Sequence, residues 1–365
     1  MNIKSLRLIH FRNYENVEFN FKENCIHCFY GKNAQGKTNL IESIYFLSHL
    51  HSFRTHSLDS LIKESYHQML IEAKVESGHT LSKVKVVVCD QKKHLFHNDN
   101  PIKKYSDFVG IVNAISFCPD DILLFSAPKK IRRNFIDMEL IKLSKKYTFT
   151  LSRYNRYLKN RNIALKQEKI DKDLIDVYTS QMIEDEIVIM KQRKNFIKNL
   201  MEYSNRLYPF FSSQKEVLSA KYETFVDTSQ GLKEQIVKSY ENTYVKDCMY
   251  KATNMGIHRD DIQFLLNDKN INEMASQGQK RSYLLAMKLG LAQMVYEKTN
   301  QYPILLLDDV FSELDTIRKK ELIQILPENM QIFITSAEEM DPSLFKNRKV
   351  KFYKVNNGFA KEVSQ

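Results

Sequence analysis

Eight residues constrain the fold of this chain more than any others. Positions 31–38 read GKNAQGKT and satisfy the pattern G-x-x-x-x-G-K-[ST]. The apolar run CIHCFY precedes them, and Leu40, Ile41, Ile44, Tyr45 and Leu47 follow at helical spacing. The motif therefore lies in the strand, loop and helix setting that gives it physical meaning. In such a loop successive backbone N–H groups curl around phosphate oxygens, and the helix after Gly36 directs the positive end of its dipole at them. Glycine permits the curl, Lys37 neutralises charge on the β- and γ-phosphates, and the Thr38 hydroxyl becomes a Mg²⁺ ligand. Chance is a poor rival: at about 7% glycine the pattern arises on the order of once in a hundred chains of this length. Only 9 of the 365 residues here are glycine.

A phosphate loop of this kind needs a carboxylate at the end of a neighbouring buried strand. The apolar run ILLL at 304–307 ends in Asp308 and Asp309. Asp308 is the better placed to hold the Mg²⁺ shell, which leaves Asp309 to orient and polarise the attacking water. Between loop and acids lies MASQGQKR at 274–281, just ahead of an amphipathic helical pattern at 283–295. A small-residue turn there is either a second anion site at a helix N-terminus or an ordinary cap made by Ser276.

Around these motifs the chain divides. Alternation at Leu6, Leu8 and His10 and at Val17, Phe19 and Phe21 predicts two strands joined at Arg12-Asn13-Tyr14, and 70–90 is again strand-like. No glycine occurs between Gly110 and Gly231, and no proline between Pro128 and Pro209, so this stretch reads as long helices. Two antiparallel helices over 129–208 would reach on the order of 60 Å. From Asn254 the α/β texture returns, with PILLL and QIFITS as successive members of a parallel sheet flanking a helix at 317–326. The expected division is an ATPase lobe at 1–128, an inserted, mainly helical arm at 129–250, and the rest of the lobe at 251–365.

Composition narrows the function classes. With 43% apolar residues the chain can build cores, which excludes disorder, and 55 Lys and Arg against 44 Asp and Glu give a net +11 that favours a polyanionic partner. No apolar run reaches the ~18 residues of a membrane span, and the charged start MNIKSLRLIHFRNY lacks a signal-peptide core. A cytoplasmic protein without a membrane partner is expected. Cys25 and Cys28 form a CxxC inside a strand pattern that points them to opposite faces, with no second pair, so zinc is not expected. The histidine clusters at 49–56 and 94–97 have no completing ligand pattern.

In combination these elements resemble the ABC-type ATPases of the SMC branch, and within them the RecF family of bacterial DNA replication and repair proteins. The likeness runs the length of the chain: FRNY at 11–14, GKNAQGKTNLIESI from 31, SFRTHSLDSLI at 52–62, SFCPDDILLFSAPKKIRRNFID at 116–137, GIHRDD at 256–261, ASQGQKRS from 275, and PILLLDDVFSELD at 303–315. It implies an α/β ABC-type P-loop head, mixed sheets with helices, carrying the helical arm.

The resemblance further implies that Gly31, Lys32, Asn33, Ala34, Gln35, Gly36, Lys37, Thr38 and Asn39 bind ATP together with Arg12. Ser276, Gln277, Gly278 and Gln279 would meet the γ-phosphate of a partner copy, so that ATP drives homodimerisation, and Ser312-Glu313-Leu314-Asp315 is the D-loop. Relative to ABC ATPases at large, Asp309 stands at the catalytic glutamate, Ser336 or Thr335 at the switch histidine, and Pro119-Asp120-Asp121 at the Q-loop glutamine. The implied role is a weak Mg²⁺-dependent ATPase used as a switch in recombinational repair, replication and the SOS response. Located at the nucleoid, it would bind single- and double-stranded DNA at gap junctions and help RecR and RecO load RecA. The competing reading is an SMC-like structural tether of DNA in which nucleotide only sets conformation. For DNA contact, RYNRYLKNR at 153–161 nominates Arg153, Arg156 and Arg161.

Overall fold

The computed structural model describes residues 1–212, 215–228, 230–314, 316–345 and 348–363. In chain order the first third holds β1 (Asn2–Phe11), β2 (Tyr14–Asn20), β3 (Ile26–Tyr30), α1 (Lys37–His49), β4 (Gln68–Ser77), β5 (Thr80–Cys89), β6 (Lys92–His97), β7 (Asn100–Ile102), α2 (Tyr105–Phe108) and β8 (Ala114–Phe117). The middle holds α3 (Lys129–Leu143), α4 (Lys145–Ala164), α5 (Lys172–Leu207), β9 (Leu218–Glu223) and α6 (Leu232–Tyr250). The last third holds β10 (Asp261–Leu266), β11 (Lys269–Asn270), α7 (Ile271–Met274), α8 (Gln277–Thr299), β12 (Ile304–Asp308), α9 (Thr316–Ile325), β13 (Ile332–Ser336), β14 (Val350–Asn356) and β15 (Phe359–Val363).

Two compact units result, one from Met1–Asp121, Tyr203–Lys215 and Arg281–Gln365, the other from Ile122–Glu202 and Glu216–Lys280. The first unit is built from both ends of the chain. It contains an antiparallel sheet of order β2-β1-β4-β5-β6-β7 and a second sheet of order β15-β14-β3-β13-β12-β8. In the second sheet every pairing from β14 through β8 is parallel. Its central strands β3, β12 and β13 are buried at every residue, as continuous apolar runs covered on both faces must be. Cys25, just before β3, and Cys28 within it are buried free thiols.

The second unit corrects one expectation. Residues 129–208 are not two long helices, because the chain breaks at Ser144, giving α3, α4 and the 36-residue α5, about 54 Å long at ~1.5 Å per residue. Ser144 is extended, with φ −143° and ψ 104°, and its Oγ accepts from the backbone N–H of Tyr147 at 3.1 Å. That is an N-cap signal inside a sequence that otherwise reads as uninterrupted helix. This unit also holds a three-stranded sheet of order β11-β10-β9.

The GIHRDD motif is the structural hub of this unit. Gly256 has φ +128°, and a Cβ there would lie 2.7 Å from Glu186 Oε1 and 2.8 Å from the Tyr154 hydroxyl. The Ile257 N–H donates to Glu186 Oε1 at 3.2 Å, and the Tyr154 hydroxyl is 2.7 Å from His258 Nδ1. Burial pushes the Glu186 carboxyl up to about 8 and the His258 imidazole down to about 4, which favours the neutral form of each. Asp260 receives Arg193, and Asp261 receives a two-pronged contact from Arg132 at 2.8 Å per prong. Ile257 is itself fully buried.

Candidate functional site

The phosphate loop leaves β3 and enters α1 with its backbone shaped from two sides. One side is the β1–β2 turn. Arg12 takes φ +53°, which lets Asn13 and Tyr14 reach across. The buried Tyr14 hydroxyl donates to Gly36 O at 3.0 Å, and Asn13 Nδ2 donates to Gln35 O at 3.0 Å. Gly36 has φ +112°, and a Cβ on it would lie 2.7 Å from Asn13 Nδ2, so only glycine fits the turn pressed against it. The other side is the β14–β15 hairpin. A Cβ on Gly31 would lie 2.4 Å from Val355 O, and the N–H groups of Asn357 and Gly358 donate to the side-chain and main-chain oxygens of Gln35. FRNY and the C-terminal hairpin thus hold the loop between them.

Lys37 is buried, and its ammonium donates to the loop carbonyls of Gly31 at 2.6 Å and Lys32 at 2.8 Å. Desolvation pulls its pKa below the ordinary lysine value, against the pull of Asp309 and Asp308. Lys32, Asn33 and Ala34 stand exposed at the loop crest, with Ala34 at φ +63°.

The two acids arrive at the C-terminal end of β12. Asp308 is buried, and its Oδ1 accepts from Thr38 Oγ1 at 2.9 Å and from Thr335 Oγ1 at 2.6 Å. Burial holds this carboxyl above the usual carboxylate range. Asp309 takes φ +52°; its N–H donates to Thr335 Oγ1 at 3.0 Å, and its buried Oδ1 has no hydrogen-bond partner among the described residues. One hydroxyl, Thr335, therefore ties both acids to the end of β13. Of the two residues at the switch-histidine position, Thr335 is the one that touches the acids.

The oxygens fit a small hard cation. Thr38 Oγ1 and Asp308 Oδ1, joined by a hydrogen bond of 2.9 Å, are a hydroxyl and a carboxylate, the oxygen donors that Mg²⁺ takes as ligands. At the position of the missing Q-loop glutamine, Asp121 accepts from the Cys118 N–H at 3.0 Å and pairs with the buried Lys288 at 3.2 Å.

Arg12 and Asn39 lie beside the loop rather than on it. They line, with Asn13, Arg54 and residues of the 60–64 segment, an open cavity of about 470 Å³. Arg12 is engaged by Glu42 and Ser60 O, while Asn39 accepts from Arg54 at 2.8 Å and donates to Asn13 at 2.8 Å. The sequence marks Asn13 and Tyr14 only as a turn and does not single out Glu42, Arg54 or Val355. The signal available was that FRNY and SFRT each carry side chains too polar for the apolar strand and helix ends they border.

In the second unit, Ser276 and Gln279 satisfy each other. The Gln279 N–H donates to Ser276 Oγ at 3.2 Å, and the Ser276 N–H donates to Gln279 Oε1 at 2.7 Å. This reciprocal pair is a capping box at the start of α8, and it leaves Ser276, Gln277 and Gly278 exposed. Asp315 lies outside the described residues.

The three arginines nominated for DNA separate. Arg156 is exposed, and Arg153 is half exposed but bonded to the buried Asp185 at 2.5 Å. Arg161 is no surface residue: it is 1% exposed, with contacts to Asp247 at 2.8 Å, Thr253 at 2.7 Å and Thr179 at 2.9 Å. Its desolvated charge is matched by a buried carboxylate, which removes it from any DNA-binding face. Arg161→Ala should cost about 3–5 kcal/mol, because it strands the charge of Asp247. Urea unfolding should show that loss, whereas Arg156→Ala should leave the midpoint unchanged; equal midpoints for all three proteins would contradict the buried pairing.

The chain is similar to known proteins. Residues 2–104 match the family model described as the RecF/RecN/SMC N terminal domain. The chain is 36% identical over 359 residues to a DNA replication and repair protein RecF from Clostridium perfringens (strain SM101 / Type A), covering 98% of this chain and 99% of that one. It is 34% identical to the RecF of Ligilactobacillus salivarius (strain UCC118), over 98% of this chain and 97% of the relative. A solved structure described as the recombination mediator protein RecF-ATP in the RecFOR pathway superposes with a TM-score of 0.90 at 29% identity, covering 99% of this chain and 97% of that one. An Smc head domain from Pyrococcus furiosus gives a TM-score of 0.54 at 14% identity, covering 100% of this chain and 96% of that one, a likeness of fold. The architecture is that of an ABC-type ATPase head, and by identity sustained along its whole length the chain belongs to the RecF family of DNA replication and repair proteins.

Proposed function

We propose that this chain is an ATP-driven switch of recombinational repair and replication. The observation that carries the reading is the convergence of Thr38, Asp308, Thr335 and Asp309 at the strand ends beside a phosphate loop whose lysine is already in place. Residues 31–39 receive ATP, with loop N–H groups and Lys37 on the phosphates. Thr38 and Asp308 hold Mg²⁺, which supplies charge neutralisation at the β- and γ-phosphates when bound. Asp309 orients the attacking water through its carboxylate, and Thr335 fixes the backbone from which Asp309 projects. Turnover is weak and serves to reset the switch.

The exposed Ser276, Gln277 and Gly278, at a capped helix N-terminus, face the nucleotide of a second copy, so that ATP stabilises a homodimer. The dimer binds DNA through sequence-tolerant backbone contacts, in keeping with the +11 charge and with Arg153 and Arg156 on α4. It acts in the cytoplasm at the nucleoid, at gap junctions, with RecR and RecO as partners that load RecA, and so contributes to the SOS response. Among the described residues no helix is long and apolar enough to cross a membrane.

Sedimentation tests the reading. With ATP or a non-hydrolysable analogue the protein should move from monomer to dimer, with ADP it should not, and duplex DNA should strengthen the shift. Sedimentation indifferent to nucleotide would overturn the switch.

A further inference from the structure

Glu42 is the one carboxylate of α1, a single turn beyond Thr38, and it is fully buried. Its two oxygens take the Arg12 fork at 2.9 and 2.7 Å, the Ser52 hydroxyl at 2.5 Å, and an ion pair with Arg54 at 3.6 Å. Ser52 in turn accepts the N–H groups of Arg54 at 2.9 Å and Thr55 at 3.1 Å, so the carboxylate fixes a backbone turn as well as two cations. Arg12 carries the tie onward: its Nη1 donates to Ser60 O at 2.7 Å and its N–H to Leu61 O at 2.8 Å, where Phe11 bridges Ile62. The segment 52–62, which otherwise has no regular structure beyond a short turn of 3-10 helix, is thus held by Glu42 at Ser52 and Arg54 and, through the Arg12 side chain, at Ser60, while main-chain contacts of Phe11 and Arg12 hold its far end.

The moored segment is a wall of the 470 Å³ cavity that opens beside the phosphate loop, and the two cations differ in what remains to them. Arg12 is spent, with a side chain only 16% exposed, whereas the Arg54 side chain is 45% exposed and is held by Asn39, the residue after Thr38. In the reading above the loop and Lys37 take the phosphates, and the cavity that opens at the flank of the loop, beside Asn39, can take the nucleoside portion of the ligand. Resting on that reading, we propose that Glu42 is a positioning residue: it shapes the 52–62 segment and sets Arg54 as the wall against which the nucleoside end of the nucleotide is recognised. A negative charge buried at this point is costly unless it has that much to hold.

The test compares two ligands in competition with a fluorescent ATP analogue, ATP and inorganic tripolyphosphate, each with Mg²⁺. Glu42→Gln should weaken ATP at least tenfold and tripolyphosphate less than twofold. Ser52→Ala should shift ATP in the same direction. Arg54→Ala combined with Glu42→Gln should weaken ATP no more than the stronger single variant, because both act through one wall. Equal losses for both ligands would mean that the effect travels through α1 and the phosphate loop, and no loss for either would mean that the segment recognises nothing; both overturn the proposal. Should Glu42→Gln fail to fold, Ser52→Ala and Arg54→Ala carry the same comparison. Failure of the wild type to bind ATP at all would sink the nucleotide reading instead.

Discussion

Lys37→Ala should abolish measurable ATP binding while leaving a folded protein. The ammonium lies at the base of the loop, donating to Gly31 O and Lys32 O, and it is partly stripped of water before any nucleotide arrives. Exchanging those carbonyls for phosphate oxygens converts two neutral acceptors into charged ones. Hydrogen bonds to charged groups are worth about 1.5–3 kcal/mol each, so losing two of them costs about 3–6 kcal/mol, or a factor of roughly 10²–10⁴ in affinity. The fold tolerates the change because the loop is shaped by other groups. Tyr14 and Asn13 grip it from one side, and Val355, Asn357 and Gly358 from the other, none of them through Lys37. Titration calorimetry with ATP should show no heat of binding from a variant whose circular dichroism and melting curve match the wild type. Wild-type affinity in that folded variant would show that the phosphates bind elsewhere.

How much of this could be read from residues alone follows from the range of the interactions. The phosphate loop and the acids after ILLL were legible because each is a local pattern: a glycine-bearing curl between strand and helix, and an apolar run ending in charge. That PILLL and QIFITS are neighbours in one parallel sheet also follows from local periodicity plus a crossover helix, whereas the pairing of β13 with β3 does not. What could not be read is everything that depends on distant parts of the chain meeting. Asn357 lies 322 residues from the Gln35 it holds, and no spacing announces that Val355 O sits where a Gly31 Cβ would be. Glu42 looked like any polar position on an amphipathic helix until the 52–62 segment folded over it.

Two other differences had signals that periodicity could have supplied. Tyr147, Tyr154 and Arg161 are seven residues apart and all buried, so Arg161 lies on the inward stripe of α4, while Arg153 and Arg156 fall off it. Ser144, among strong helix formers, is the residue type that caps.

Asp309→Asn should leave ATP binding within a few-fold of wild type and lower turnover by about 10²–10⁴, the usual worth of a positioned general base. The separation of effects follows from geometry. Asp308 accepts from the hydroxyls of both Thr38 and Thr335 without involving the Asp309 side chain. Asp309 instead reaches Thr335 through its main-chain N–H, and its left-handed backbone aims a carboxylate whose Oδ1 has no other bond to make. An amide of the same shape keeps the backbone tie and the fill but cannot take a proton from water. The variant should therefore accumulate in the ATP-bound form, and by the switch model it should stay dimeric long after the wild type has returned to monomer. Phosphate release measured beside ATP affinity distinguishes the outcomes. Unimpaired release would assign the base to another group, and a parallel loss of affinity would mean that Asp309, and not Asp308 alone, belongs to the cation site. Asp308→Asn supplies the contrast, since it should weaken Mg²⁺-dependent binding itself by removing the negative charge beside Thr38.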